Sequence, residues 1–253
     1  MAHGINQDES QASDVTTVPL ANVVLLDAAL FRAMRRPEHL PGIVCFYGPA
    51  GYGKTKAAMA AAVKHDGYYI HCAASWNRAA VLHYILQAMG SSPAQSVWRM
   101  TEQVCERLAV TGRPLLVDEA DKLVEKKSVD LIRDLYDGSG SAVLLIGEES
   151  LPARLARWER FHSRVLEWCP AQGVTRDDCR ALALLYCPDT EIGDDLIAKI
   201  TAVSRGSARR AAVNLDMARR LATENGLKTV GMKEWGKKDF YTGEASNTIR
   251  RAA

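Results

Sequence analysis

The segment GPAGYGKT, residues 48–55, has the composition and spacing of a loop that binds phosphate groups. Glycine has no Cβ, so the backbone of such a loop can wrap around a phosphate and direct its N–H groups inward. We predict that Lys54 bridges the terminal phosphates of a nucleotide and that Thr55 binds Mg²⁺ through its hydroxyl. The predicted nucleotide-binding residues are the whole loop: Gly48, Pro49, Ala50, Gly51, Tyr52, Gly53, Lys54 and Thr55.

Two adjacent carboxylates follow a second apolar run, in the segment PLLVDEADKL of residues 114–123. At the end of a strand, Asp118 can hold Mg²⁺ through water, and Glu119 can polarise a water molecule for attack on a phosphate. An acidic pair after an apolar run is by itself often only a strand leaving the core. Because this pair follows a phosphate loop in the same chain, we predict a Mg²⁺-dependent site for phosphoryl transfer.

The elements that must position these residues alternate between strand and helix. Short apolar runs between turn residues predict four strands, at residues 42–48, 67–73, 113–121 and 141–149. Helical patterns occupy residues 21–37, 54–66, 77–90, 96–112 and 128–138. This alternation predicts an α/β fold, with a mostly parallel sheet and helices on both of its faces.

The character of the chain changes after Trp168, where no further strong strand signal is found. Three helices are predicted at residues 175–187, 193–204 and 207–226, and they form a small helical domain. We therefore expect four parts: a polar, disordered leader over residues 1–18, an α/β domain over 19–170, a helical lid over 171–226, and a polar, slightly basic tail over 227–253.

Composition narrows the function classes only a little. Because the net charge is only +2, a basic surface for binding nucleic acid must be local or be formed by oligomerisation. No apolar run is long enough for a membrane span and the N-terminus lacks a signal core, so we expect a cytoplasmic protein, in a bacterium or a phage-infected host. The six cysteines show no CxxC pair and are expected to be buried thiols rather than zinc ligands or disulfides.

The loop GPAGYGKT, the strand LLVDEAD and the helical lid, in this order, resemble the AAA+ ATPases. Within that superfamily the chain is most similar to the transposition ATPases typified by the phage Mu B protein. The segments GPAGYGKTKAA, LLIGEESLPARL and RFHSRV carry this narrower resemblance. The resemblance implies ATP as the nucleotide, Mg²⁺ as the cofactor and slow hydrolysis stimulated by DNA or a partner.

The resemblance also implies roles for two arginines. In GSARRA, Arg209 would be the sensor-2 residue that reaches the phosphates from the lid, with Arg210 as the alternative. In RFHSRV, Arg164 would be the arginine finger for the nucleotide of a neighbouring subunit, with Arg160 as the competitor. With Lys54 and Glu119, Arg164 and Arg209 complete the predicted catalytic set.

One position departs from the AAA+ pattern. The family usually has a neutral polar residue after the fourth strand, whereas this chain has Glu148. A carboxylate beside a terminal phosphate is unfavourable unless it is protonated, paired or turned away. We therefore expect slow hydrolysis, which suits a switch better than a motor.

Two loops are candidates for DNA contact, because related ATPases assemble as rings or helical filaments around DNA. Their residues follow the second and third strands: Asn77, Arg78, Lys122, Lys126 and Lys127. Each cluster is modest and is equally typical of a solvated helix end. Repetition along a homo-oligomer would give a strong, sequence-independent grip on duplex DNA. Trp76 could stack on a base, although a single tryptophan is more often part of a core.

The resemblance favours an ATP-dependent, nonspecific DNA-binding protein that recruits and stimulates a transposase. A helicase loader or replication-initiation ATPase is the first alternative, and it would share the nucleotide site. A protein-directed ATPase without DNA binding, like the secretion-linked ExeA family, is the second.

Overall fold

The computed structural model describes residues 20–244 and contains one five-stranded sheet and one small two-stranded sheet. The five-stranded sheet has the order β2-β3-β4-β1-β5, and all of its pairs are parallel. Its strands are β1 (Ile43–Tyr47), β2 (Tyr68–His71), β3 (Leu115–Asp118), β4 (Val143–Gly147) and β5 (Val165–Pro170). Every strand therefore ends at the same edge of the sheet, where ligands bind in open α/β folds.

Eight helices precede or connect these strands. They are α1 (Ala21–Met34), α2 (Lys54–Lys64), α3 (Arg78–Ala88), α4 (Val97–Thr111), α5 (Asp121–Glu125), α6 (Val129–Ser139), α7 (Leu151–Leu155) and α8 (Glu159–His162). Helices α1 and α2 cover one face of the sheet, and α3, α4 and α6 to α8 pack against the other. The predicted fold class, a parallel sheet with helices on both faces, is confirmed.

The central strands are apolar on both sides because both faces are covered. In β1, Ile43 and Cys45 face the α3–α4 side, while Val44 and Phe46 face α1 and α2. Strands β3 and β4 alternate in the same way. A continuous apolar run is the pattern expected of a strand buried on two faces, which is why these strands were identifiable in the sequence.

Strand β5 was not predicted, and the structure corrects this. Residues 165–170, VLEWCP, pair with β1 along the edge of the sheet. The strand carries Glu167, which pairs with Arg32 of α1, and it ends at Pro170. An edge strand is only partly buried and tolerates charge and proline, so it lacks the apolar run on which the prediction relied.

The C-terminal part is helical, as predicted. Its elements are α9 (Arg176–Tyr186), β6 (Glu191–Ile192), α10 (Asp194–Ser204), α11 (Ala208–Asn225), β7 (Thr229–Val230) and α12 (Met232–Trp235). Helices α9, α10 and α11 enclose a separate apolar core. We call residues 171–244 the lid.

Residues 227–244, which lie in the predicted polar tail, pack onto the lid. Strand β7 pairs with β6, and Trp235 of α12 is only 1% exposed in the lid core. Asn214 of α11 also exchanges hydrogen bonds with the backbone of Tyr241. The buried side chains of this segment, Val230 and Trp235, are isolated in a polar stretch, so the sequence pattern did not indicate this packing. The predicted leader, residues 1–18, and the tail beyond 244 lie outside the described residues.

Candidate functional site

The C-terminal edge of the large sheet collects most of the predicted site. The phosphate loop, residues 48–55, follows β1. Asp118 ends β3, which is separated from β1 by one strand. Glu148 follows β4, which lies between them. The parallel register brings these segments together although they are far apart in the sequence.

The phosphate loop depends on glycine at two positions. Gly51 and Gly53 have φ angles of 84° and 82°, in the left-handed region that residues with a Cβ avoid. Gly53 also precedes α2, so the loop passes directly into a helix N-terminus. Loop amides and the positive end of the helix dipole therefore combine at one place, as an anion site requires.

Lys54 lies folded over its own loop. Its Nζ donates hydrogen bonds to the carbonyl oxygens of Gly48 at 2.7 Å and Pro49 at 2.9 Å. Burial lowers the pKa of Lys54, and four carboxylates at the same edge oppose that shift: Asp118, Glu119, Asp121 and Glu148. The ammonium is thus held beside the loop, where a phosphate would offer it stronger acceptors than two neutral carbonyls.

Asp118 is buried and fixed by three neighbours. Its Oδ1 accepts the backbone N–H of Glu119 at 2.8 Å, and its Oδ2 accepts the hydroxyl of Tyr69 at 2.9 Å. His71 Nδ1 lies 3.5 Å from the same Oδ2. Both Tyr69 and His71 belong to β2, and sequence reasoning missed them because only the β2–β3 register reveals the contact.

Glu119 has a φ of 55°, which is unusual for a residue with a side chain. The hydrogen bond from its N–H to Asp118 accompanies this sharp turn at the strand end. The chain therefore leaves β3 abruptly, and the half-buried Glu119 stays at the sheet edge near Lys54.

The residues present fit a Mg²⁺ ion. Thr55 is exposed on the first turn of α2, and Asp118 is a carboxylate at the same edge. Hydroxyl and carboxylate oxygens are donors that Mg²⁺ prefers, and a bound nucleotide would add phosphate oxygens. Among residues 20–244 there is no cluster of three or more His, Cys, Asp or Glu side chains able to hold a metal by themselves.

Glu148 is paired rather than free. Its backbone N–H donates to Asp121 Oδ2 at 2.6 Å, and its side chain lies 3.8 Å from Arg154 Nη2. Gly147 allows this arrangement, since a Cβ there would overlap Asp121 Oδ2. Neither Asp121 nor Arg154 was singled out from the sequence.

The lid contacts the phosphate loop directly. The backbone N–H of Arg209 donates to the carbonyl of Gly51 at 3.1 Å, and Ser207 lies so close that a Cβ on Gly51 would be 2.5 Å from its Oγ. The exposed side chain of Arg209 therefore starts beside the loop. Arg210, the alternative for the predicted role, lies next to Gly243 instead.

Tyr52 joins the same contact from the loop side. Its ring packs close to Gly173 and Gly206, which both belong to the lid. Asn22 of α1 completes the junction, because its amide donates to the carbonyls of Tyr52 and Gln172, both at 2.8 Å. A small recess lies here, and its lining includes Asn22, Tyr52, Val174, Asp178 and Ala208.

Arg164 lies at the opposite end of the sheet from the phosphate loop. Its carbonyl accepts the N–H of Ile43, the first residue of β1, and the loop follows the last. Its guanidinium forms two hydrogen bonds with Asp137, at 3.1 and 3.2 Å. Arg160 is exposed on α8 and has no side-chain partner within residues 20–244.

The two predicted DNA loops lie side by side. Arg78 Nη2 donates to the carbonyl of Lys127 at 3.3 Å, which brings the loops after β2 and β3 together. Lys126 and Lys127 are exposed, while Lys122 is half-buried. Asn77 caps α3 by accepting the N–H of Ala80 at 2.9 Å, so its side chain already has a structural role.

Trp76 lies next to this basic surface. Its ring stacks on that of Tyr84, with centroids 4.1 Å apart and an interplanar angle of 6°. It also packs partly against the core. A tryptophan held in this way supports the loop conformation, as expected of a core residue.

Two further predictions concern the whole chain. All six cysteines are free thiols and five are buried, in agreement with the sequence prediction of buried thiols. Burial raises their pKa values, that of Cys72 to about 12. Over residues 20–244 no helix is both long and apolar enough to cross a bilayer.

Comparisons with known proteins place this geometry in a known fold. Residues 37–155 match the family model described as an AAA domain. No curated protein sequence matches the chain. Among solved structures, Cdc6p from Pyrobaculum aerophilum is 17% identical, with a TM-score of 0.64 over 89% of this chain and 68% of that one.

Two other solved structures are similar. Domain III of the replication initiation protein DnaA from Thermotoga maritima is 16% identical, with a TM-score of 0.56 over 86% of this chain and 91% of that one. The ORC1 protein of Aeropyrum pernix, in complex with DNA, is 20% identical, with a TM-score of 0.59 over 85% of this chain and 62% of that one. At these identities the likeness establishes the AAA+ P-loop fold, and the relationship to the transposition ATPases stays a prediction.

Proposed function

We propose that the chain is a Mg²⁺-dependent ATPase whose nucleotide state controls its assembly on duplex DNA. The observation that carries this proposal is the contact between the phosphate loop and the lid, the hydrogen bond from Arg209 to Gly51. A phosphate bound in the loop would lie where the two parts of the chain meet. Nucleotide occupancy can therefore bias the position of the lid, as a switch requires.

The residues of the site divide the work of phosphoryl transfer. The loop amides and Lys54 bind the phosphates, and Glu119 takes the proton of the attacking water. Tyr69 and the Glu119 amide keep Asp118 in one orientation. Thr55 and Asp118 would hold Mg²⁺, which would supply positive charge to offset the charge that develops on the phosphate oxygens.

Arg209 is proposed to bind the terminal phosphates from the lid. Its backbone N–H is hydrogen-bonded to Gly51, so its exposed side chain starts beside the loop that would hold them. A planar guanidinium suits phosphate oxygens better than an ammonium does. Loss of the terminal phosphate after hydrolysis would remove this bond and loosen the lid.

Arg164 is proposed to act between subunits, with Arg160 as the competing candidate. Strand β1 has five residues and is roughly 13 Å long, so Arg164 at its start is far from the nucleotide of its own chain. A neighbouring subunit that presents its phosphate loop to this end would bring the two together. A closed ring or an open helical filament satisfies this geometry equally.

The basic surface formed by Arg78, Lys126 and Lys127, with Lys122 beside it, is proposed to contact DNA phosphates. Contacts of this kind carry no sequence information, and a few per subunit become strong when repeated in an oligomer. The Aeropyrum pernix ORC1 structure shows a similar fold in complex with DNA. This likeness supports the proposal at the level of the fold.

The proposed partner is a transposase, which the ATP-bound assembly would recruit to target DNA and stimulate. This assignment rests on the resemblance of LLIGEESLPARL and RFHSRV to the transposition ATPases. Hydrolysis would then release the assembly. Slow hydrolysis suits this order of events, because the complex must persist until the transposase arrives.

A second candidate is a replication-initiation or helicase-loading ATPase. The similarity of the fold to Cdc6p and to domain III of DnaA favours it. The nucleotide site would be the same, and the partner would be a helicase or single-stranded DNA. A clear preference for single-stranded over duplex DNA would select this candidate.

The test is DNA binding measured with each nucleotide. Fluorescence anisotropy of labelled duplex DNA with ATP or ADP, together with electron microscopy, reports binding and assembly. We expect ATP-dependent assemblies that Lys54→Ala abolishes, while the exposed Lys199→Ala on α10 serves as the charge-matched control. Binding that is equal with ATP, with ADP and in Lys54→Ala would refute nucleotide control.

Replacing Lys126 and Lys127 with glutamine tests the DNA surface. A plot of log K against log salt has a negative slope. Each lost phosphate contact should make that slope shallower by about 0.9. Lys199→Gln is again the control. An unchanged salt dependence would remove this surface from the proposal and leave the ATPase site intact.

A further inference from the structure

Arg154 of α7 is surrounded by three carboxylates at the edge of the nucleotide site. Its Nη1 lies 2.9 Å from Glu125 Oε1 and 3.9 Å from Asp121 Oδ1, and its Nη2 lies 3.8 Å from Glu148 Oε2. Asp121 is 1% exposed, and its Oδ1 has no hydrogen-bond partner in the described part of the chain. Within residues 20–244 no other cationic side chain forms an ion pair with these three carboxylates.

Glu148 lies next to the phosphate loop. The N–H of Gly48, the first loop residue, donates to the carbonyl of Gly147 at 3.3 Å, and Glu148 is the next residue. Asp121 holds its backbone through the hydrogen bond from the Glu148 N–H. The position of residue 148 beside the loop is therefore fixed from two sides.

A negative charge at this position opposes the binding of a third phosphate. ATP carries one more negatively charged phosphate than ADP, so a fixed negative charge beside the loop disfavours ATP more than ADP. An arginine that pairs with Glu148 offsets the repulsion and also keeps the carboxylate turned towards α7. Arg154 has this position.

We propose that Arg154 is a positioning residue that holds and neutralises Glu148, and thereby allows the site to prefer ATP over ADP. The proposal rests on the proposed function, since it assigns a role within the same nucleotide site. It explains how a carboxylate can occupy a place where AAA+ proteins usually have a neutral residue. It also makes Arg154 and Glu148 an interdependent pair.

A purely structural role for Arg154 makes a different prediction. Its removal would leave the buried Asp121 and the partly exposed Glu125 without a counter-charge, which lowers the stability of the fold. A loss of stability weakens ATP and ADP binding alike. The ratio of the two affinities, and its rescue by a second substitution, separates the two roles.

The experiment measures dissociation constants for ATP and ADP with Mg²⁺ by titration calorimetry. The variants are Arg154→Ala, Arg154→Gln, Glu148→Gln and the double variant Arg154→Ala/Glu148→Gln. Arg157→Ala, an exposed arginine three residues along the chain, is the matched control. Arg154→Gln retains amide donors for Asp121 and Glu125 should the alanine variant fail to fold, and circular dichroism checks each variant.

We expect Arg154→Ala and Arg154→Gln to lower the preference for ATP over ADP about tenfold, the effect of one uncompensated charge near the surface of a protein. The double variant should restore the preference, and Arg157→Ala should leave it unchanged. A proportionate loss of both affinities, or a double variant no better than Arg154→Ala, would overturn the proposal. Wild-type protein that binds neither nucleotide would instead refute the proposed nucleotide site itself.

Discussion

The hydroxyl of Tyr69 donates a hydrogen bond to Oδ2 of Asp118 across the β2–β3 pair, at 2.9 Å. Burial raises the pKa of Tyr69, and the charge of the nearby, buried Asp118 carboxylate raises it further. The tyrosine therefore remains a protonated donor at neutral pH. It fixes the orientation of the carboxylate that is proposed to hold Mg²⁺.

Tyr69→Phe should weaken the response to Mg²⁺. A hydrogen bond to a charged group contributes about 1.5–3 kcal/mol, so the Mg²⁺ concentration for half-maximal ATP hydrolysis should rise about tenfold or more. ATP binding without Mg²⁺ should not change, because the loop and Lys54 are untouched.

Tyr68→Phe is the matched control for this variant. The hydroxyl of Tyr68 is buried and has no hydrogen-bond partner among residues 20–244, so its removal leaves Asp118 undisturbed. Magnesium titrations of the hydrolysis rate compare the two variants. Equal shifts in both would show that Tyr69 has no specific role in holding Asp118.

Gly51→Ala should separate the lid from the phosphate loop. The added Cβ would lie 2.5 Å from Ser207 Oγ, and the φ of 84° is unfavourable for alanine. Gly90→Ala has a similar φ of 67° with nothing within 4 Å of the new Cβ. In both variants backbone strain should lower the free energy of unfolding by roughly 1–2 kcal/mol. Only Gly51→Ala should also displace the lid.

Hydrogen exchange of the Arg209 amide measures that displacement. This amide donates to the Gly51 carbonyl, so its exchange should accelerate in Gly51→Ala and stay slow in Gly90→Ala. Equal protection in both variants would contradict a loop-to-lid contact in solution.

The sequence predicted what is encoded locally. The phosphate loop is a contiguous segment between a buried strand and a helix, and its two flanking elements were found where the structure has them. Asp118 and Glu119 follow an apolar run, and they lie at the predicted strand end. Residues of this kind can be identified from the sequence without knowledge of the tertiary structure.

Contacts between distant segments could not be predicted in the same way. Tyr69 meets Asp118 only through the strand register, and Arg154 of α7 meets Asp121 and Glu125 of α5 only because these two helices pack together. Nothing in the residue types of these partners distinguishes them from other surface or strand residues. The edge strand β5 was missed because partial burial removes the apolar pattern.

Trp235→Ala should destabilise the lid. The ring is buried, stacks on Phe240 at 4.6 Å, and its Nε1 donates to the carbonyl of Lys238 at 2.8 Å. Removing a buried tryptophan costs about 3–5 kcal/mol. Trp98→Ala is the control, since Trp98 is 59% exposed on α4, and chemical denaturation compares them. A negligible cost for Trp235→Ala would contradict the packing of this residue into the lid core.

Arg164→Ala should abolish ATP hydrolysis but not ATP binding, if this arginine acts on a neighbouring subunit. An arginine supplied across an interface typically raises the rate constant of hydrolysis by a factor of about 10³–10⁵. Within its own chain Arg164 pairs only with Asp137 and Ser163 among the described residues. Asp137→Asn breaks the ion pair and keeps the arginine, so it should retain most of the activity.

Mixing two inactive variants gives the decisive measurement. Arg164→Ala has an intact phosphate loop and Glu119. Glu119→Gln lacks the proposed base but keeps Lys54, so it can still bind ATP and assemble, and it has an intact Arg164. In a mixed oligomer, some interfaces join the intact Arg164 of one variant to the intact phosphate loop of the Arg164→Ala variant. These interfaces are complete, so part of the hydrolysis should return. If Arg164 served only as the partner of Asp137, each inactive subunit would stay inactive and mixing would restore nothing. If Arg164→Ala is active by itself, and mixing Arg160→Ala with Glu119→Gln restores hydrolysis, the role belongs to Arg160 instead.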